Sequence, residues 1–489
     1  MVIENSKSFN RNIDSLDYYK FICSFSYRNH PICYESDELR KAYLTLLHYY
    51  AQKNEQYMKY HQPITLLYEH SFSTSIEESQ GLEDQLKIQF IKQVRKMRWN
   101  FKKMRLLLYS YKYLFFANYL LLIYGRCSLD NSSIQAVKQD LKINVRDAQH
   151  IVDFTNALKD RDFEIAKSYV EHKKFEHLSF YLDVYKKQMD FLTTEEKRCL
   201  IVGTMSAGKS TFLNSLVGKD VFPAQNEACT AKMFIYTHRP YMEHFIVQPN
   251  KSSFFEYVIN DVERTIKQLN ENEAIEQVFI DGSLSRVLNI KNRVVLMDTP
   301  GTNNSIDRIH EKNALEAIRN EHYDTIFYIM NATQLGTDDD LRLLNFVKEY
   351  ISNNPGKQVL FIVNKADQID EEANESLQQL LESAKTYVQQ NGFKNPHMML
   401  FSAYISRLCQ KVLHGETLTR REQIQFDFFY NYFSKETQDL TKYATVPCAF
   451  HPDISHEQQE IKIKNKTYNI ERIYTVLKHS GIYQIKNFI

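Results

Sequence analysis

The chain of 489 residues is too long for one compact core, so its length predicts two or three domains. Its 61 basic and 60 acidic side chains give a formal net charge of +1, which argues against a surface built throughout to bind nucleic acid. The 7 cysteines are scattered and show neither a C-x-x-C pair nor metal-ligand spacing, so they predict neither a disulfide framework nor a zinc site.

The first part of the chain, residues 1–195, has the pattern of a helical bundle. Residues 1–17 are polar and lack the apolar centre of a signal peptide, which favours a cytoplasmic protein. Glycine and proline are rare as far as residue 195, and Leu, Lys, Tyr and Phe recur at spacings of three and four. Long stretches of this kind without breakers predict helices, and together they predict an all-α helical domain.

One segment of this region, residues 85–129, contains no acidic side chain. Its first part is basic, and its second part, residues 106–124, is almost continuously apolar and is interrupted by Lys112 and Asn118. Three interpretations stay open: a helix at the centre of the bundle, a contact with an anionic membrane surface, and a transmembrane span. A lysine near the bilayer centre costs about 3 kcal/mol, which disfavours the span. A nucleic-acid contact through the same basic stretch is a further hypothesis, which the net charge does not favour.

A phosphate-binding motif follows the apolar run 199–202. Residues 203–211 read Gly-Thr-Met-Ser-Ala-Gly-Lys-Ser-Thr, which is the G-x-x-x-x-G-K-[ST] pattern between a predicted strand and a predicted helix. Its glycines allow backbone N–H groups to surround an anion at the N-terminus of that helix. Lys209 is predicted to reach the β- and γ-phosphates, and Ser210 to bind Mg²⁺. The predicted phosphate-binding residues are Gly203, Ser206, Ala207, Gly208, Lys209, Ser210 and Thr211.

Beyond this loop, short apolar runs alternate with helical stretches, which predicts a doubly wound α/β domain with a mostly parallel sheet over residues 196–489. The predicted strands are 233–236, 245–247, 294–297, 325–329, 359–363 and 398–401. The predicted helices are 212–217, 309–320, 338–352 and 371–390. In such a sheet the ligand lies beyond the carboxyl ends of the strands.

Three more motifs follow predicted strands. Asp298-Thr299-Pro300-Gly301 offers a carboxylate to a Mg²⁺-bound water, and the N–H of Gly301 to the γ-phosphate. In Asn364-Lys365-Ala366-Asp367, the aspartate can accept hydrogen bonds from the N1–H and 2-amino groups of guanine, which adenine cannot offer, and the lysine lies along the base. Backbone N–H groups at Ser402-Ala403 can reach guanine O6. The order of these motifs predicts a guanine-nucleotide site.

The loop that senses the γ-phosphate is assigned to the stretch around Thr230. Its hydroxyl can bind Mg²⁺ and its N–H can contact the γ-phosphate, which would order the loop only in the triphosphate state. The predicted magnesium ligands are therefore Ser210, Thr230 and Asp298.

With these motifs the chain resembles the dynamin superfamily, and most closely its bacterial members. The resemblance is carried by residues 203–210, 228–231, 298–301 and 364–367, and the stretch 331–340 also looks like the bacterial members. It implies GTP hydrolysis that is stimulated when two nucleotide domains pair, and that is coupled to membrane remodelling. GTP is thus the expected substrate, Mg²⁺ the expected cofactor, and self-association through the nucleotide domain is expected.

The same resemblance implies a catalytic set of Ser206, Lys209 and Thr230. Ser206 would help to hold the charge-compensating environment at the β,γ-bridge, and Thr230 would position the attacking water. Many family members carry glutamine immediately before the loop serine, whereas this chain has Met205. Slow intrinsic turnover is the resulting expectation.

The resemblance covers residue 197 to the C-terminus, with residues 405–479 as an insertion before a closing helix that includes Ser480-Gly481-Ile482. An aromatic cluster in this insertion is interpreted as local core; its members are Phe426, Phe428, Phe429, Tyr430, Tyr432 and Phe433. Family members usually continue into a helical stalk with a membrane-binding tip. Here either residues 1–195 replace part of that stalk or a second chain supplies it.

The sequence therefore predicts a cytoplasmic, peripherally membrane-associated dynamin-like GTPase. Its helical region would couple the nucleotide state to membrane binding or remodelling through residues 85–129. The alternative is a GTP-dependent switch whose helical module docks a partner protein without membrane contact. Burial of four apolar side chains inside the bundle would favour the switch; these are Leu114, Phe115, Leu121 and Leu122.

Overall fold

The computed structural model describes residues 14–76, 91–92, 97–100, 105–204, 206–223, 232–259, 261–299, 323–369, 376–448, 459–464 and 466–489. The side chains of residues 97–100, 105–110 and 173 are outside this description. The chain divides into two compact units. The first consists of Met1–Thr194, Tyr241–Ile246 and Ser253–Ile259, and the second of Glu195–Pro240, Val247–Ser252 and Asn260–Ile489. The assignment of two later segments to the first unit was not predicted.

The first unit is mainly helical, as predicted. Its α-helices, α1 to α9, span Ser15–Cys23, Asp37–Ala51, Glu55–Lys59, His61–Phe72, Tyr111–Leu122, Ser132–Asp140, Val145–Lys159, Phe163–Val170 and Ser179–Thr193. Short 3-10 helices span Pro31–Tyr34 and Lys173–Leu178. Several α-helices begin where a side-chain oxygen accepts a hydrogen bond from the first turn, which satisfies an otherwise unpaired N–H group. These N-cap residues include Asp14, Asn54, Asn131, Asn144 and Asp162.

The first unit also contains strands that the prediction of an all-α domain did not include. Met97–Asn100 (β1) and Arg105–Ser110 (β2) pair in antiparallel fashion. Apolar and polar residues alternate along β1, which is the period of a strand, and four residues separate the strands, which is a common hairpin length. A further short strand, Glu256–Val258 (β6), comes from the later part of the chain.

Helix α5, Tyr111–Leu122, lies in the core of the first unit. Leu114, Phe115, Leu121 and Leu122 are at most 3% exposed. Asn118, which interrupts the apolar run, is also buried, and its side chain bonds two tyrosine hydroxyls, those of Tyr68 at 2.8 Å and Tyr43 at 3.3 Å. The structure thus supports the core-helix interpretation for this segment.

The carbonyl groups at the C-terminal end of α5 and just beyond it are also hydrogen-bonded within the first unit. The Tyr18 and Tyr19 hydroxyls donate to the carbonyl oxygens of Leu121 at 2.5 Å and Leu122 at 2.8 Å. The Lys159 ammonium donates to three carbonyl oxygens, at 2.7, 2.6 and 2.8 Å; these belong to Leu120, Ile123 and Gly125. Among the helices of the described ranges, none has the length and apolar character needed to cross a bilayer. Most of the basic side chains of residues 85–105 lie outside the description.

The second unit is built on a mixed, mostly parallel sheet, as predicted. Its strands are Glu196–Gly203 (β3), Met233–His238 (β4), Phe245–Pro249 (β5), Gln277–Gly282 (β7), Arg293–Asp298 (β8), Thr325–Asn331 (β9), Gln358–Asn364 (β10) and His397–Phe401 (β11). They lie in the order β11-β10-β9-β3-β8-β4-β7-β5, and of β5 only the part from Val247 belongs to this unit. The pair β4–β8 is antiparallel, whereas the pairs from β11 to β8 and the pair β4–β7 are parallel. The six predicted strands are present, and β7 was missed.

The α-helices of the second unit, α10 to α16, span Lys209–Val217, Val262–Glu271, Asp338–Asn353, Leu377–Gln390, Ala403–Leu413, Arg420–Tyr432 and Ile470–His479. A two-stranded sheet of Glu460–Ile463 (β12) and Lys466–Asn469 (β13) precedes α16. Short 3-10 helices span Arg286–Leu288, Ala366–Gln368, Glu436–Gln438, Leu440–Lys442 and Ile482–Asn487. The predicted helices 212–217 and 338–352 are confirmed. Residues 309–320 and 371–375 lie outside the described residues.

Two details of the C-terminal region differ from the prediction. The closing helix α16 ends at His479, before Ser480-Gly481-Ile482, because Gly481 has a φ of +92°, which ends a helix and favours glycine. The aromatic cluster of α15 is core only in part: Phe426, Phe429 and Phe433 are buried, but Phe428 is 56% exposed. The two sides of one helix thus have different environments.

Candidate functional site

The loop between β3 and α10 has the backbone geometry of an anion-binding nest. Ser206 and Gly208 have φ values of +63° and +89°, in the left-handed region. A Cβ added to Gly208 would lie 2.5 Å from Asn364 Nδ2, and one added to Gly203 would lie 2.5 Å from the Ile329 carbonyl oxygen. Close approach therefore requires glycine at both positions, and at Gly208 the left-handed conformation requires it as well.

Lys209, the first residue of α10, folds back over this loop. Its Nζ donates to the carbonyl oxygens of Gly203 at 2.8 Å and Thr204 at 3.3 Å. Burial lowers the pKa of Lys209, and the charge of Asp298 opposes that change. The positive charge at the loop is thus held by hydrogen bonds within the motif itself.

Asp298 ends β8 and is 3% exposed. Within the described residues its Oδ1 has no hydrogen-bond partner, and burial raises the pKa of Asp298 to about 7, against the lowering effect of the Lys209 charge. A buried oxygen without a partner is costly, and carboxylate and hydroxyl oxygens are the ligands that Mg²⁺ prefers. The donor set of Asp298 and the partly exposed Ser210 therefore fits a magnesium ion.

Asn364, at the end of β10, connects three of the predicted motifs. Its Nδ2 donates to the Ala207 carbonyl oxygen at 2.9 Å, and its Oδ1 accepts from the Ala403 N–H at 3.1 Å. Its own carbonyl oxygen accepts from the Ala332 N–H at 2.9 Å, where β9 ends. This bridging by the Asn364 side chain was not predicted, and nothing in the sequence beyond its place in the motif points to it.

The base-recognition candidates lie beside this asparagine. Lys365 follows it with a left-handed φ of +66°. Asp367 accepts a hydrogen bond from the Ser402 hydroxyl at 2.5 Å, and burial raises the pKa of Asp367. The same hydroxyl accepts from the Ile405 N–H at 3.2 Å and so caps α14. Ser402 therefore contributes its side chain, in addition to the backbone N–H that its motif predicts.

The structure brings the described candidate residues to one edge of the sheet, at the carboxyl ends of β3, β8, β10 and β11. Thr299 fixes the start of one motif, because its hydroxyl donates to the Ile201 carbonyl oxygen of β3 at 3.0 Å. Two candidates, Thr230 and Gly301, lie outside the described residues.

A mixed α/β sheet with a glycine loop before a helix, and a base-recognition motif two strands away, defines the class of P-loop guanine-nucleotide-binding proteins. Residues 199–386 match the model of the dynamin family. The nucleotide domain of this chain is thus similar to the GTPase domains of the dynamin family.

Curated relatives agree with this assignment. The chain is 28% identical to the bacterial dynamin-like protein of Nostoc punctiforme over 183 residues, covering 36% of this chain and 25% of that protein. It is 27% identical to dynamin-like protein A of Bacillus subtilis over 210 residues, covering 42% of this chain and 16% of that protein. The matched part of the chain thus spans a quarter or less of the length of these relatives.

Among solved structures, the chain is similar to an oligomerised bacterial dynamin pair, described as providing a mechanism for the long-range sensing and tethering of membranes. That match has a TM-score of 0.34 and 17% identity, and covers 84% of this chain and 60% of the other.

Proposed function

We propose that this chain binds GTP with Mg²⁺ and hydrolyses it as a dynamin-like GTPase. The observation that carries the proposal is the pair of hydrogen bonds made by the Asn364 side chain. They join the loop assigned to the phosphates and the Ser402-Ala403 motif assigned to the base. A phosphate site and a base site held at a fixed distance are what recognition of a whole nucleotide requires.

The proposed nucleotide contacts follow from this arrangement. The phosphates would be bound by Gly203, Ser206, Ala207, Gly208, Lys209, Ser210, Thr211 and Gly301. The guanine base would be bound by Asn364, Lys365, Asp367, Ser402 and Ala403. Asp367 is suited to this role because only one of its oxygens is engaged by the Ser402 hydroxyl, which leaves the carboxylate able to accept from guanine.

Mg²⁺ would be held by Ser210, Thr230 and Asp298, and when bound it would neutralise charge on the β- and γ-phosphates. The Lys209 ammonium would exchange its two loop carbonyls for phosphate oxygens, which are stronger acceptors because they are charged. Ser206 would contribute near the β,γ-bridge, and Thr230 would orient the attacking water.

For the helical unit, the proposal has two alternative versions, which differ in what the unit binds. In the first version of the proposed function, the helical unit couples the nucleotide state to a membrane. This version includes self-association of the nucleotide domains and allows a second chain to supply a stalk. Burial of α5 favours the second version, a switch that docks a partner protein, because the apolar stretch that suggested lipid contact is packed inside the first unit. A membrane contact would then have to use other residues of 85–129.

The test is GTP turnover by the purified chain as a function of its own concentration, with and without liposomes that contain anionic lipid. Specific activity that rises with concentration and again with liposomes supports a dynamin-like enzyme that pairs on membranes. Slow, flat turnover that is indifferent to lipid supports the switch. A chain that neither binds nor hydrolyses GTP would refute both versions.

A further inference from the structure

Three potential metal ligands converge near the C-terminal end of α16, in the second unit. Glu436 and Asp439 lie in the turns that follow α15, and His479 is the last residue of α16. One ligand atom from each lies within 4.8 Å of the other two. The His479 Nε2 atom is 3.6 Å from Asp439 Oδ2 and 4.0 Å from Glu436 Oε1.

The imidazole of His479 is oriented toward the two carboxylates and is fully buried. Its Nδ1 lies 2.7 Å from the Phe433 carbonyl oxygen, which can only accept, so Nδ1 carries a proton. In the neutral tautomer Nε2 then has a lone pair, and in the described structure this nitrogen has no hydrogen-bond partner. Metal-binding histidines characteristically donate the other ring N–H in this way, which fixes the ring and its tautomer.

Each carboxylate is anchored through one oxygen and directs the other toward His479. Asp439 Oδ1 accepts from the N–H of Thr441 at 3.0 Å and from its hydroxyl at 2.6 Å, while Oδ2 faces the imidazole. Glu436 Oε2 accepts from Lys442 Nζ at 2.8 Å, while Oε1 faces the imidazole. Ligands that are themselves oriented by outer hydrogen bonds are typical of metal sites.

We propose that Glu436, Asp439 and His479 bind one divalent transition-metal ion, with Zn²⁺ as the preferred ion. Ligand atoms bound at about 2.1 Å to a tetrahedral ion are about 3.4 Å apart, so the observed separations need only small side-chain movements. An imidazole donor selects Zn²⁺ over Mg²⁺ and Ca²⁺, which prefer oxygen ligands. Three protein ligands leave a fourth position for water.

Two neighbouring cations oppose this site. Lys442 Nζ bonds the outer oxygen of Glu436 at 2.8 Å and is exposed, and Lys478 Nζ lies 3.6 Å from Asp439 Oδ2 and is partly exposed. Both side chains are flexible and can withdraw toward solvent when an ion binds. The cysteine spacing, which predicts no zinc site, gives no information about this cluster, because the cluster contains no cysteine. Its histidine is also distant in sequence from its two carboxylates.

The proposed ion would stabilise the edge that carries the base-recognition residues. It would tie the end of α16 to the turns after α15, and the next residue, Ser480, accepts through its carbonyl oxygen from the Ser402 N–H at 3.1 Å. Ser402 in turn contacts Asp367. The zinc proposal does not depend on GTP hydrolysis, because ion binding is measurable without nucleotide.

The experiment uses the full chain, treated with chelator, dialysed, and kept in excess Mg²⁺ without nucleotide. ZnCl₂ is titrated in by calorimetry, and the melting temperature is recorded with and without Zn²⁺. We expect one zinc ion per chain and a higher melting temperature. Asp439→Asn should weaken zinc binding at least about 10-fold, because Asn retains the oxygen that accepts from Thr441 but replaces the ligand oxygen.

Glu436→Gln provides a second variant on an exposed side chain, where misfolding is not expected, and it should weaken binding by a similar factor. The matched control is Glu471→Gln, an exposed glutamate in the first turn of the same helix α16, which should bind zinc like the unaltered chain. Absence of zinc uptake, or equal zinc affinity in the unaltered chain and both ligand variants, would overturn the proposal. Displacement of zinc by Mg²⁺ would overturn the choice of ion.

Discussion

The core around α5 and the carboxyl edge of the sheet both bury polar side chains, but the partners of these side chains differ. Around α5, Asn118 bonds two tyrosines and Lys159 bonds three carbonyl oxygens, so the polar groups serve the packing of one helix. At the sheet edge, Asp298 Oδ1 is buried and has no partner in the described residues. The bonded groups around α5 stabilise the fold, whereas the Asp298 oxygen, which lies beside the phosphate-binding motif, is available to a ligand.

The largest expected effect is on GTP binding at the carboxyl edge of the sheet. Lys209→Ala should weaken GTP binding by about 1,000-fold, roughly 4 kcal/mol, because it removes the positive charge held over the phosphate loop. Equilibrium binding of a fluorescent GTP analogue measures the loss.

The control for this variant is Lys394→Ala, which removes an exposed lysine of the second unit and should leave GTP affinity unchanged. If Lys209→Ala binds GTP as tightly as this control, the assignment of the site is wrong.

The next effect is in the helical unit. Lys159→Met keeps the aliphatic stem but leaves three carbonyl oxygens without their charged donor, and should lower the free energy of unfolding by about 3 kcal/mol. Urea unfolding followed by circular dichroism measures the loss, because the helices of this unit contribute strongly to that signal.

Lys167→Met is the matched control, since Lys167 is exposed on α8, and its effect should be within about 0.5 kcal/mol. Equal stability of the two variants would contradict a structural role for the Lys159 ammonium.

A smaller effect should separate base recognition from phosphate binding. Asp367→Asn should weaken GTP binding about 30-fold, roughly 2 kcal/mol, because an amide cannot accept both guanine hydrogen bonds. The amide N–H₂ can instead donate to the 2-oxo group of xanthine, so xanthosine triphosphate should gain affinity relative to GTP. Competition between the two nucleotides measures the ratio, and an unchanged preference for guanine would contradict the role of Asp367.

The sheet and the edge at which the described candidate residues lie could be predicted because they depend on local patterns. Apolar runs predicted the strands β3, β4, β8, β9, β10 and β11. A motif that follows a parallel strand must lie at the carboxyl edge of the sheet. Strand β7 was missed because its sequence, Gln277–Gly282, contains both polar and apolar residues and has no motif after it.

What could not be predicted depends on contacts between residues far apart in sequence. The apolar character of α5 fits lipid and protein equally well. The burial of its side chains and the carbonyl contacts of Tyr18, Tyr19 and Lys159 distinguish the two. The bridging role of Asn364 and the cluster around His479 likewise arise from tertiary packing, which no local period encodes.

The smallest expected effect compares two adjacent residues at the carboxyl edge of the sheet. Thr299 follows Asp298, but its hydroxyl already donates to the Ile201 carbonyl oxygen at 3.0 Å. Thr299→Val keeps the shape and removes one buried hydrogen bond, so it should cost about 1 kcal/mol, seen as a melting temperature lower by roughly 2–4 °C, with little change in GTP affinity.

Thr475→Val removes a hydrogen bond of the same length, 3.0 Å, that is exposed to solvent on α16, and should change the melting temperature less. If Thr299→Val instead reduced GTP affinity without reducing stability, the Thr299 hydroxyl would contribute to ligand binding although it is already hydrogen-bonded. That result would contradict the distinction between hydrogen-bonded and partnerless polar groups at this site. If Thr299→Val reduced stability alone, the Thr299 hydroxyl would be a structural group. The Asp298 oxygen, one residue away and without a partner in the described residues, would then remain the candidate ligand-binding group.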